Sequence, residues 1–210
     1  MSDGYTVIGQ AGTGSVIVEA ALTLAGAPYR VEEVRHAQFA EHNPMIQVPA
    51  LITPAGELMT ESAAILIWLG EIHPQARLAP APGDPGRAQF LRWMAFVSSA
   101  IYSLYWIRDE PSRIADDDAG KALVRERTAD RILHCWSVME SQVSPTPWLA
   151  GETIGVLDLY VAVISRWGRR RKRFYEIAPK MGAVVRRVDA EPHLAALWAA
   201  RFPFNDNWEG

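Results

Sequence analysis

A chain of 210 residues, 49% apolar and 21% charged, has the composition of a globular protein with room for one or two well-filled domains. The net charge of −3 is unevenly spread: residues 1–80 hold three Lys/Arg (Arg30, Arg35, Arg77) against eight Asp/Glu, leaving −5, and the remainder holds +2. So cation-poor a first part argues against nucleic acid as a partner, and the longest apolar run, residues 63–69, falls far short of the about 20 residues that span a membrane. Met1 leads into an apolar strand without a basic start or cleavage site, and the single cysteine, Cys135, has no partner for an internal disulfide. Both features fit a soluble cytoplasmic protein without a secretory signal.

In chain order, residues 5–8 read as a short apolar strand, followed by the loop Gly9-Gln10-Ala11-Gly12-Thr13-Gly14. Ser15 is the expected cap of a helix through Val16, Val18, Ala21 and Leu22 to Gly26, a suitable C-terminal cap. Residues 29–34 alternate as a second strand, and residues 35–46 are polar and irregular. Residues 48–53 and 58–60 flank Pro54-Ala55-Gly56-Glu57, a hairpin signal, and Ser62 is the expected cap of the next helix. The order β-α-β then β-β-α predicts a thioredoxin-like domain over residues 1–79. Pro80-Ala81-Pro82-Gly83-Asp84-Pro85-Gly86 reads as a linker over 80–86, and residues 87–210 read as all-helical. Phe90, Met94, Val97, Ile101 and Leu104 form one stripe on a long helix, and Ile132, Trp136, Met139 and Val143 another; both read as bundle core. Gly155 and Asp158 are spaced as half of a capping box, with Ile154 and Leu159 as its staple, so Asp158 reads as a cap rather than a catalytic acid.

The most informative stretch is residues 43–69. Proline has no N–H to extend a strand ladder. If the Val48–Pro49 bond is cis, the Val48 N–H and C=O are left off the sheet and free to pair with a bound peptide. Twelve residues beyond Pro49, Glu61-Ser62 opens a helix, whose first N–H groups and Ser62 hydroxyl suit a carboxylate. The Glu61 side chain suits a neighbouring ammonium.

This order and spacing resembles the glutathione site of the glutathione transferase superfamily, and the likeness extends over essentially the whole chain. The resemblance implies a thioredoxin-like N-terminal domain plus an all-α C-terminal bundle, glutathione as co-substrate with no metal, and a homodimer. It implies that Gln47, Val48, Pro49, Glu61 and Ser62 hold or shape the site for the peptide. The thiol donor in this superfamily is a Tyr, Ser or Cys in the first strand or the loop after it. Here that strand ends in Ile8 and the loop has no cysteine, which leaves Thr13, the first choice, and Ser15 as catalytic candidates beside the loop's own N–H groups. Lowering a thiol of pKa about 8.5 by two units requires about 2.7 kcal/mol of selective stabilisation. Arg35, His36 and His42 are unassigned candidates for the glycyl carboxylate. Tyr102 and Trp106 are expected at the acceptor pocket with Tyr105, and Trp167 or Trp208 as a lid; all are equally readable as core. Arg169-Arg170-Arg171-Lys172-Arg173 reads as a solvated cover for a helix C-terminus rather than an anion site. The leading reading is thiolate transfer to a small apolar electrophile, with a non-catalytic binding or scaffold protein as the alternative.

Overall fold

The computed structural model of the chain describes residues 4–33, 39–40, 43–167 and 171–203. Four strands, β1 (Tyr5–Ile8), β2 (Tyr29–Glu32), β3 (Ala50–Ile52) and β4 (Leu58–Met59), form one sheet in the order β2-β1-β3-β4. β1 runs parallel to β2 and antiparallel to β3, with Val7 opposite Val31 and Leu51. It is central and buried throughout, which is why it reads as an unbroken apolar run. Tyr5 and Val7 face the main core, while Ile8 packs with Phe39 and Ala50 in a second, smaller cluster.

Helix α1 (Ser15–Ala25) is buried over its first eight residues and ends at Gly26, whose φ of 64° is the left-handed cap expected there. The helix α2 (Ser62–Ile72) follows β4. Neither Ser15 nor Ser62 is the N-cap. Each is the first helical residue, behind Gly14 and Glu61 respectively, a one-residue correction to the sequence reading.

Beyond residue 86 the described structure is helical. The predicted single long helix is interrupted: α3 (Arg87–Phe96) passes into a π-helical segment, Val97–Tyr102, and resumes as α4 (Ser103–Asp109). A π-turn takes up an extra residue and rotates the buried face. The stripe therefore runs Phe90, Met94, Val97, Ile101 and then Tyr105, while Leu104 is only half-buried. Trp93, off that stripe, is also buried within the chain.

Helix α5 (Asp118–Gln142) buries Ile132, Trp136, Met139 and Cys135. Helix α6 (Val156–Ser165) is apolar nearly all round and every residue of it is buried, as befits the central helix of a core. Its one acid, Asp158, caps it: Oδ2 accepts the Gly155 N–H at 2.8 Å and Oδ1 the Leu149 N–H at 2.8 Å. The usual cap Ser or Thr is excluded by packing. A Cβ on Gly155 would lie 2.6 Å from the Leu78 carbonyl oxygen, which already accepts the Val156 N–H.

Helices α7 (Lys172–Ile177), α8 (Pro179–Asp189) and α9 (Ala195–Arg201) close the bundle. Lys172 and Arg173 are exposed as the solvated reading expects, but Arg171 departs from it, being 1% exposed. Its guanidinium donates to the Ala162 carbonyl near the end of α6 and pairs with Asp189. Asp189 also pairs with the buried Arg166 at 2.8 Å. Arg169 and Arg170 lie outside the described residues. One hydrophobic cluster runs unbroken from Val7 and α1 through α6 to Trp198, so the sheet and the bundle share a core. Among the described residues no helix is long and apolar enough to cross a membrane.

Candidate functional site

The loop after β1 is held from several directions. Ser15, fully buried, accepts the Gln10 N–H at 3.1 Å, and its Oγ lies 3.0 Å from the Gln10 carbonyl, 3.1 Å from Thr13 Oγ1 and 3.2 Å from Glu19 Oε1. Gly9 must be glycine for this tether to close, since a Cβ there would lie 2.0 Å from Ser15 Cβ. Thr13 donates its hydroxyl to the Gln10 carbonyl at 2.7 Å and accepts the Ser15 N–H at 3.3 Å. Glu19, an acid inside an otherwise apolar helix, is fully buried and pairs with Arg201 of α9 at 2.8 Å. The Gly12 N–H donates to the Arg201 carbonyl at 2.9 Å, and the Trp167 indole donates to the Gly12 carbonyl at 3.0 Å. Neither Glu19 nor Arg201 was singled out from the sequence, although a lone acid among buried apolar positions was a legible signal.

Across from this loop, buried Asn43 shapes residues 43–47: its side chain donates to the Gln47 carbonyl at 2.8 Å and accepts the Met45 N–H at 3.0 Å. The Val48–Pro49 bond is cis. Glu61 sits at φ 65°, ψ 98°, a backbone conformation that costs a non-glycine residue about 1–3 kcal/mol. The Glu61 side chain does not cap α2, and among the described residues no other side chain does, which leaves the N–H groups of its first turn open to a ligand or water. The Glu61 side chain is exposed. Ser62 is buried, with its Oγ 2.9 Å from the hydroxyl of Tyr160 on α6. Burial raises the Tyr160 hydroxyl above its ordinary value, so it stays protonated.

The bundle contributes an aromatic wall. Tyr102, at the end of the π segment, packs edge-on against Tyr160 at 6.2 Å and Trp167 at 4.7 Å, and Tyr105 meets Trp167 at 5.4 Å. The Tyr102 hydroxyl donates to the Val48 carbonyl at 3.2 Å. Gly14 makes room for it, since a Cβ on Gly14 would lie 2.1 Å from the Tyr102 hydroxyl oxygen. Thr13, Ser15, Val48, Ser62, Tyr102 and Trp167 are thus joined by contacts across the seam between sheet domain and bundle. Trp106 is exposed and lies under the Arg113 guanidinium, 4.2 Å from its ring centroid. Arg35, His36, His42 and Trp208 lie outside the described residues. Among the described residues no group of His, Cys, Asp and Glu is placed to hold a metal.

A thioredoxin-like domain packed on a helical bundle, with an open helix start at the seam, is the class the geometry defines. The family model described as glutathione S-transferase, N-terminal domain, matches residues 15–72. An uncharacterised GST-like protein of Escherichia coli, YncG, is 30% identical over 196 residues, covering 90% of this chain and 94% of its own. A glutathione transferase homologue from Sulfitobacter, solved with bound glutathione, superposes with a TM-score of 0.83 at 24% identity, over 95% of this chain and 99% of that one. A glutathione transferase from Methylococcus capsulatus superposes with a TM-score of 0.74 at 25% identity, over 94% and 98%. The chain belongs to the glutathione S-transferase family.

Proposed function

We propose that the chain binds reduced glutathione at the seam and transfers its thiolate to a small apolar electrophile. The observation that carries this reading is the start of α2: Glu61 is held at φ 65° ahead of a first turn with no side-chain cap. Backbone strain kept beside a helix start that its own N-cap side chain leaves uncapped suits an anion. In this reading the γ-glutamyl carboxylate takes those donors and the Ser62 hydroxyl, whose oxygen is free to accept from Tyr160 while its proton turns to the ligand. Glu61 holds the adjacent ammonium. The Val48 N–H and C=O pair with the cysteinyl residue, with Gln47 and Pro49 shaping the approach, and the thiol falls towards the N-terminus of α1. There the helix dipole and nearby hydroxyls favour thiolate. Thr13 and Ser15 stand at this end and order the loop. Tyr102, Tyr105 and Trp167 line the acceptor side. A cytoplasmic homodimer completes the reading, supported by exposed Leu91 on α3 and the acidic cast of residues 1–80 against the rest.

The second reading, binding without catalysis, draws on one observation: the Thr13 proton is committed to the Gln10 carbonyl, and Ser15 is wholly buried among the loop's own groups. A panel of electrophiles with glutathione separates the two. Enzyme-dependent loss of thiol with at least one electrophile supports transfer. Binding without turnover across alkyl, aryl and peroxide electrophiles would favour the second.

A further inference from the structure

We propose that Tyr102, a residue of the helical bundle, is the catalytic hydroxyl that donates to the bound glutathione sulfur, taking the role otherwise sought in the loop after β1. This rests on the glutathione reading above. Three hydroxyls gather near the N-terminus of α1. Ser15 is 0% exposed and serves Gln10, Thr13 and Glu19. Thr13 spends its proton on the Gln10 carbonyl and its oxygen on the Ser15 N–H, so turning it to a ligand would undo the loop. Tyr102 differs because, among the described residues, its hydroxyl donates to the Val48 carbonyl alone, at 3.2 Å. A peptide pairing with Val48 brings its own N–H to that oxygen. The exchange releases the Tyr102 proton at the moment the cysteinyl thiol arrives beside it.

The position is also right. The Tyr102 oxygen occupies the space where a side chain at Gly14, the N-cap of α1, would begin, 2.1 Å from the Cβ site. Gly14 has φ −61°, so its backbone does not require glycine; the approach of Tyr102 does. A hydroxyl carried by another element therefore stands at the helix start in place of one from residue 14. The π segment that ends at Tyr102 and the Tyr160 and Trp167 rings fix this placement. Burial first, then Tyr160 and Glu61 nearby, hold the Tyr102 hydroxyl well above its ordinary 10, so it acts as a donor and never as a base.

The test compares the unsubstituted protein with Tyr102→Phe, Thr13→Val and Ser15→Ala, all as full chains. Calorimetry gives reduced-glutathione affinity, and the ultraviolet thiolate band of the complex is titrated with pH. Tyr102→Phe should raise the thiolate midpoint by about 1 to 2 pH units, as loss of a hydrogen bond to a charged group does, while affinity changes less than about threefold. Thr13→Val, which loosens the loop without removing the Tyr102 donor, should move the midpoint by clearly less than Tyr102→Phe does. An unchanged midpoint in Tyr102→Phe, or a shift found in Ser15→Ala or Thr13→Val instead, would overturn the assignment while leaving glutathione binding intact. No binding by the unsubstituted protein would overturn the assignment and the glutathione reading together.

Discussion

Asp158→Ala should destabilise the fold by about 3 kcal/mol near pH 5. The Asp158 carboxyl group accepts the buried Gly155 N–H and the Leu149 N–H, each at 2.8 Å, and alanine leaves both without that acceptor. A buried donor left unpaired costs about 1–3 kcal/mol, with the Leu149 N–H nearer the lower figure because its bond is only part-buried. A chain of this size loses about 2–4 °C of Tm per kcal/mol, so the expected drop is roughly 6–12 °C by scanning calorimetry. Burial raises the Asp158 carboxyl from 3.8 to about 7, against the lowering effect of the Leu149, Gly155 and its own backbone N–H groups. For an acid whose folded value is raised, the stabilisation is whole below the unfolded value and falls away as pH rises through the folded one. The Tm gap between native and variant protein should therefore be wider at about pH 5 than at about pH 8. A gap under about 2 °C, or one that widens towards pH 8, would refute the reasoning.

Gly155→Ser adds a cap hydroxyl worth about 1 kcal/mol, yet its Cβ would lie 2.6 Å from the Leu78 carbonyl oxygen, an overpacking cost of about 1–3 kcal/mol. The Tm should fall by a few degrees, and a rise would contradict the packing account. Asp189→Ala removes the carboxylate shared by two buried arginines, Arg166 and Arg171, and should cost about 3–5 kcal/mol, seen as a large Tm drop or loss of soluble protein. Near-native melting would show the pair to be dispensable. Light scattering at micromolar concentration should give twice the chain mass, whereas a clean monomer would remove the dimer from the proposal and leave the site untouched.

Local patterns carried much of the fold. The apolar run of β1, the Gly26 stop, the hairpin around Gly56 and the Gly155–Asp158 spacing each concern neighbours in sequence, and each has a nearby physical cause. The π segment had no such mark, since no proline or glycine lies in Val97–Tyr102, so the four-three stripe was followed one step too far, to Leu104 rather than Tyr105. Among the described residues the basic run misled only at Arg171, because a cation among five looks solvated, while its partner, Asp189, lies 18 residues on. At the site, Val48–Pro49 and Glu61–Ser62 were visible as short motifs. Their partners were not: Tyr160 lies 98 residues beyond Ser62 and Tyr102 lies 54 beyond Val48, distances that only the packing of bundle on sheet bridges.

The central claim is that the seam binds reduced glutathione, and isothermal titration of the folded chain with reduced glutathione tests it most directly. The account predicts a single site per chain, weakened by about ten- to a hundredfold in Ser62→Ala, the loss of one charge-assisted bond of about 1.5–3 kcal/mol. A folded protein giving no heat at millimolar glutathione would contradict it.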